Sequence, residues 1–198
     1  MAYLGEDGQI PFVSKSEIKS RVDELLEECW DGAFPVDVER MCDHFDISIL
    51  PVAGLTDCFQ IDAYISADFK TIYVDAEKYK DESPRYRFSV AHELGHYILH
   101  REYYSSRVES FGEWRAASYK SANYFAEYQA NYFAGCLLAP ENELIRVLNV
   151  GFDGSFARSY FSTRCEELGR IMVGMRRFFR VSEQVIHRRM RDVIYGLN

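Results

Sequence analysis

Two histidines four residues apart, His92 and His96, enclose a glutamate in the sequence His92-Glu93-Leu94-Gly95-His96. On an α-helix, residues at i and i+4 share one face, about one turn of rise apart. Two imidazoles placed that way can converge on one Zn²⁺. Glu93 falls beside them and is not needed as a ligand, so it can take a proton from a metal-bound water. Two ligands and a general base then come from five residues, the apparatus of metal-assisted hydrolysis. The same five residues also suit an ordinary amphipathic helix, and the metal reading requires a third ligand.

His100 shares that face but lies two turns beyond His92, about 12 Å along the axis, whereas zinc–nitrogen bonds are ~2.0 Å. It is expected to support the site or to pack. The metzincin continuation H-x-x-G-x-x-H fails, because Leu99 and Glu102 stand where its glycine and histidine belong. The best third ligand is Glu127. Its helix is marked by apolar Tyr124, Ala130, Phe133, Ala134, Leu137 and Leu138 and is ended by Pro140. Asn131, one turn on, can accept the outer N–H of a ligand histidine and fix its tautomer. Ala126, Ala130 and Ala134 allow close packing on the first helix. Glu102, Glu109 and Glu113 are rival ligands, in a stretch with no helical face aimed at the motif.

The run Arg87 to His100, followed by Glu127-x-x-Ala130-Asn131-x-Phe133-Ala134-x-x-Leu137-Leu138-x-Pro140, resembles the ImmA/IrrE family of metallopeptidases. Pro35 to Val38 with Ile47 to Ile49, and Phe179 to Ser182, resemble its outer segments. The resemblance implies an α+β fold: a minimal gluzincin-like zinc peptidase domain with a small sheet, an HExxH helix, a Glu-bearing helix and a small C-terminal helical segment. It implies Zn²⁺ on His92, His96 and Glu127, with Glu93 as base. It also implies a substrate, a helix-turn-helix repressor of a mobile element or stress regulon, cut at restricted positions. Ala139 stands where the family often has methionine, and no room is left before Pro35 for the helix-turn-helix domain that many relatives carry. Oxyanion donors are sought among His100, Tyr97, Tyr124 and the Glu102–Lys120 segment.

The elements that must position these residues can be read from periodicity. Ser83 reads as an N-cap with Pro84 at the first helical position, and Phe88, Ala91, Leu94, Tyr97 and Ile98 give the metal helix a buried face. Gly95 is costly in a helix by about 1 kcal/mol, and its lack of a side chain admits another backbone or a substrate near the metal. Lys15 to Trp30 is an amphipathic helix, Val36 to Phe45 a second. Ile47–Val52, Phe59–Ile65 and Thr71–Val74 read as strands, with turns at Gly54 and Asp68. An edge strand could take an extended peptide by β-addition. Aromatic Tyr103, Tyr104, Phe111 and Trp114 suggest a lid or wall between the two metal helices. Domain boundaries are placed at 1–150 for the peptidase domain and 151–198 for a helical, helix-turn-helix-like subdomain.

Of the 198 residues, 47% are hydrophobic and 15% aromatic, as in a folded domain. No apolar run is long enough to cross a bilayer, the polar N-terminus is no signal peptide, and a cytoplasmic protein is expected. The five scattered cysteines read as reduced buried thiols, and His44 as a histidine with no role. Net charge is −8, yet arginines crowd the C-terminal part. After an N-cap at Ser182, Val185, Ile186 and Met190 would face inward and His187, Arg188 and Arg191 outward. Arg188, Arg189 and Arg191 are therefore docking candidates, for a protein partner or for DNA phosphates. DNA is disfavoured by the acidic whole. A zinc-containing DNA-binding regulator and a non-catalytic anti-repressor or interaction protein are the alternatives to a zinc endopeptidase.

Overall fold

The computed structural model describes residues 12–81, 83–104, 124–151 and 165–195. The chain is mostly helical with one small sheet, an α+β arrangement. Helix α1 (Lys15–Cys29) starts at Ser14, whose Oγ accepts the Glu17 N–H at 3.2 Å. It buries Ile18, Val22, Leu25, Leu26 and Cys29, the stripe its periodicity predicts. Helix α2 (Val38–His44) is shorter than its apolar pattern suggests, because Asp37 caps it by accepting the N–H groups of Glu39 and Arg40. Strand β1 (Ser48–Val52), helix α3 (Leu55–Phe59), strand β2 (Ala63–Ile65), strand β3 (Thr71–Asp75) and helix α4 (Ala76–Asp81) follow.

The sheet has the order β1-β3-β2, with β1 parallel and β2 antiparallel to β3. The stretch Phe59–Ile65, which reads as one strand, is divided. Phe59 ends α3, Gln60 turns the chain with φ 58°, and only Ala63–Ile65 pairs. The helical turn is held from a distance, by Asp75 Oδ2 accepting the Thr56 N–H at 3.0 Å. Gly54 and Asp68 lie in turns as expected, Gly54 at φ 76°.

Helix α5 (Pro84–Tyr104) carries the H-E-x-x-H run and α6 (Tyr124–Leu138) carries Glu127. These two make the most extensive helix contact among the described residues. Helices α7 (Glu141–Gly151), α8 (Cys165–Phe179) and α9 (Glu183–Tyr195) complete the described residues. Ser182 Oγ accepts the Val185 N–H at 3.4 Å at the start of α9. Val185, Ile186 and Met190 are buried there, in the same hydrophobic cluster as α1, the sheet, α5 and α6. Phe34 joins the two ends of the chain, its ring 4.9 Å from Trp30 and 4.8 Å from Phe178.

Cys29, Cys42 and Cys136 are buried free thiols, and burial pushes Cys42 up to about 12. Cys58 departs from the expectation: it is exposed on α3. His44 lies 3.3 Å from Glu28 on the surface. No described helix is long and apolar enough to cross a membrane.

Candidate metal centre

Helix α5 begins as its sequence predicts. Ser83 Oγ accepts the Tyr86 N–H at 3.2 Å, and Pro84 takes the first position. Val90, Ala91 and Leu94 are buried, which turns His92 and His96 toward α6. Gly95 faces Ala130: a Cβ there would stand 3.2 Å from the Ala130 Cα and O and 3.1 Å from Phe133. The missing side chain lets the backbone of α6 approach. Ala126, Ala130 and Ala134, all fully buried, keep the pair close.

That approach brings three ligand atoms together. His92 Nε2 lies 3.1 Å from His96 Nε2, and Glu127 places its Oε2 3.2 Å from the former and its Oε1 3.4 Å from the latter. The group His92, His96, Glu127 is a possible metal site. Of the rival carboxylates, Glu102 is exposed near the end of α5, whereas Glu109 and Glu113 lie outside the described residues, as does most of the aromatic Glu102–Lys120 segment.

The outer nitrogens show which ring atoms carry protons. His92 Nδ1 is 3.2 Å from Asn131 Oδ1, an acceptor, so Nδ1 donates and Nε2 is bare. For His96 the proof runs through a buried chain. The Gln129 amide nitrogen donates to the Val13 carbonyl at 3.3 Å, so its Oε1 accepts from His100 Nε2 at 2.9 Å. Burial holds His100 neutral, its pKa lowered to about 3. With its one proton on Nε2, His100 accepts at Nδ1 from His96 Nδ1, 3.1 Å away. His96 Nε2 is therefore bare too. Two imidazole nitrogens and a carboxylate converge within hydrogen-bonding distance of one another, an arrangement that a proton holds together and that a metal cation can take over. Without a metal, the same Nε2 atoms are the ones that take up a proton and donate to Glu127. Burial opposes ionisation of Glu127, but the bonds from His92 and His96 outweigh it and hold the carboxyl well below its usual range. Burial also opposes charge on His92, yet Glu127 and Glu93 raise its affinity for a proton.

Glu93 sits beside the triad and is not part of it. Ser66 and Asp62 bond β3, through Ser66 N–H to Thr71 O and Asp75 N–H to Asp62 O. The alternate residue Ile65 thus turns its N–H outward from the sheet, and Glu93 Oε2 accepts it at 2.9 Å. Among the described residues Glu93 Oε1 has no such partner. Burial raises the Glu93 pKa, against the pull of His92 and His96.

A peptidase family described as the IrrE N-terminal-like domain has a profile that matches residues 53–191, some two thirds of the chain. The chain belongs to this family. The matched span of the IrrE-like domain contains β2, both metal helices and most of α9, so the metallopeptidase type and the triad rest on the same residues. No curated protein matches the chain.

Other expected residues fall elsewhere. His100 has both nitrogens engaged behind His96, which removes it as an oxyanion donor. Tyr97 packs against Phe45 and Phe69 and under Arg101, away from the triad's ring contacts. Tyr124, one turn before Glu127, is 71% exposed and stays available. Arg188 and Arg191 are exposed, but Arg189 is only 2% exposed. It is no docking residue, because its Nε donates to the Ala139 carbonyl at 3.1 Å. Sequence patterning missed Gln129 and the Ile65 N–H. Gln129 is a buried glutamine two residues from Glu127, a position whose polarity was itself a signal.

Proposed function

We propose that the protein is a zinc endopeptidase of gluzincin-like arrangement, making restricted cuts in a DNA-binding helix-turn-helix repressor in the cytoplasm. The observation that carries this is the convergence of His92, His96 and Glu127 beside a buried, strand-held Glu93. Zinc fits the donor set. Tetrahedral bonds of ~2.0–2.1 Å place ligand atoms about 3.3 Å apart, against the observed 3.1, 3.2 and 3.4 Å. When bound, zinc supplies Lewis acidity and a water that ionises near neutral pH.

The chain's own residues do the rest. Asn131 and the His100–Gln129 pair keep the ring protons of His92 and His96 on Nδ1, so that Nε2 remains a ligand. The Ile65 N–H pins Glu93 Oε2 and leaves Oε1 to take a proton. Burial strengthens that base. Strand β2 is an edge, and an extended peptide lying along it would be carried past Glu93. Among the described residues, Tyr124 is the side-chain donor we assign to the developing oxyanion. A peptidase body over 1–150 and a helical segment over 151–198 would divide catalysis from recognition.

The test is direct. The zinc-loaded protein and its Glu93→Gln variant are incubated with a helix-turn-helix repressor captured by pulldown on the Glu93→Gln protein, and the fragments are mass-mapped. We expect one or two cuts by the parent, and Glu93→Gln to keep zinc but to cleave at least ~1,000-fold more slowly. Near-parental cleavage by Glu93→Gln, or a repressor left intact by the parent, overturns the reading.

A further inference from the structure

We propose that the cleft between α6 and α9 is a substrate subsite that selects an acidic side chain in the peptide segment next to the cut bond. This rests on the peptidase reading above and names what the substrate must carry. The cleft has a volume of about 390 Å³ and begins at Glu127 and Asn131, the residues of α6 that serve the metal centre. It runs along α6 to Gly135, where a Cβ would stand 3.4 Å from Arg189 of α9. Eight helical residues rise about 12 Å, the reach of three to four residues of extended peptide.

The charges along it divide into two sets. Lys15 is paired with Asp192 at 3.1 Å, and Arg189 is buried, its Nε donating to the Ala139 carbonyl and its Nη1 3.8 Å from Asp192, beyond hydrogen-bond reach. Glu127 is turned to the histidines. Arg188 and Arg191 also line the cleft, are exposed, and among the described residues meet no carboxylate. Their i, i+3 spacing puts them on one face of α9. Two unanswered guanidinium groups thus line a cleft that opens from the metal centre of a chain whose net charge is −8, a local attraction for an anion. The wall along α6 is aromatic: the rings of Tyr128 and Tyr132 stack at 6.5 Å with 14° between planes. A flat aromatic wall in the same cleft as two forked cations suits a methylene stem that ends in a carboxylate. A terminal carboxylate fits less well, since an exopeptidase holds it one residue from the cut, whereas this cleft runs on along α6 from Glu127 to Gly135.

The probe is a set of internally quenched decapeptide pools, amidated at the C-terminus, each fixing Glu, Gln or Lys at one position. With the zinc-loaded full chain, we expect the Glu pool to be cut about tenfold faster than the Gln pool at one position two to four residues from the cut. That is the size of one charge-assisted hydrogen bond. The Lys pool should be slowest, and the Glu advantage should shrink as salt rises from ~0.05 to ~0.5 M. Arg188→Gln with Arg191→Gln should bring the Glu-to-Gln ratio near one, and the double Lys variant should keep part of it. Zinc content and melting temperature show whether the variants fold. Equal rates on all pools, a Glu preference that survives the double Gln variant, or a need for a free C-terminus would each overturn the proposal. If no pool is cut, it is the peptidase reading that fails on peptides, and binding decides the cleft. Anisotropy of labelled Glu and Lys pools on Glu93→Gln should then still favour Glu through Arg188 and Arg191. Equal affinities, or displacement of the Glu pool by a 20-base-pair DNA duplex, would sink it.

Discussion

Gln129 faces away from the metal side of the histidines, yet the state of both histidine rings behind the site depends on it. Its amide is oriented by the Val13 carbonyl, and that orientation passes through His100 to the proton on His96 Nδ1. Replace Gln129 with Leu and His100 loses its acceptor. The His100 proton can then move to Nδ1, facing His96, and His96 must carry its own proton on Nε2, the metal-facing atom. We expect Gln129→Leu to weaken zinc affinity by about 10–100-fold, read by competition with a chromophoric chelator, with cleavage restored at saturating zinc. Unchanged affinity would show that this chain does not set the tautomer. The same residue marks the limit of reading a site from spacing. His92, His96 and Glu127 are legible because helical periodicity fixes which residues share a face. Gln129 and the Ile65 N–H are not, because their partners come from Val13 and from a strand edge that only the tertiary fold brings near.

At the scale of elements, the metal centre is a property of the contact between α5 and α6. Gly95→Ala should gain about 1 kcal/mol of helix propensity. Against it stand contacts of 3.1–3.2 Å to Phe133 and to the backbone of Ala130. Backbone cannot move aside as a side-chain tip can, and overpacking costs about 1–3 kcal/mol. Overpacking wins: we expect a lower melting temperature and, because Glu127 moves with α6, at least tenfold weaker zinc binding. A variant more stable than the parent would show that the helices tolerate the methyl. Asp75 joins the elements on the other side of the sheet. Its carboxylate accepts the N–H groups of Thr56, Glu77 and Lys78, which tie β3 to α3 and α4. The Thr56 N–H leads in holding its pKa below the ordinary value, against burial. A depressed folded pKa means the contribution is present above the unfolded value of ~3.9 and fades as pH falls through the folded one. Asp75→Ala should cost about 2 kcal/mol between pH 5 and 8 in urea unfolding, with the gap to the parent closing below about pH 4. A gap independent of pH would assign the cost to packing. This long-range cap is also why Leu55–Phe59 was illegible as a helix: five residues are too few to show a helical period, and the group that holds Thr56 lies nineteen residues on.

For the whole molecule, the question is which C-terminal arginines face outward. Arginines 188, 189 and 191 look alike in a charge run, and the run as a whole reads as a docking face. Position settles them differently. Arg189 follows Val185 and Ile186 by four and three residues, so it shares their buried stripe, a signal the sequence did contain. Its stem packs by Gly135, its Nε donates to the Ala139 carbonyl at the end of α6, and its guanidinium lies 6.0 Å over Tyr132. It ties the C-terminal helix to the helix that carries Glu127. Arg189→Gln should therefore act as a core mutation, leaving the Ala139 carbonyl and Asp192 short of a partner at a cost of about 2–3 kcal/mol. At this chain length that is a fall of about 6–9 °C in melting temperature. Arg188→Gln and Arg191→Gln should each stay within about 2 °C of the parent, as exposed substitutions do. Calorimetry of the three single variants decides it. An Arg189→Gln protein that melts with the parent would return Arg189 to the surface and all three arginines to one docking face.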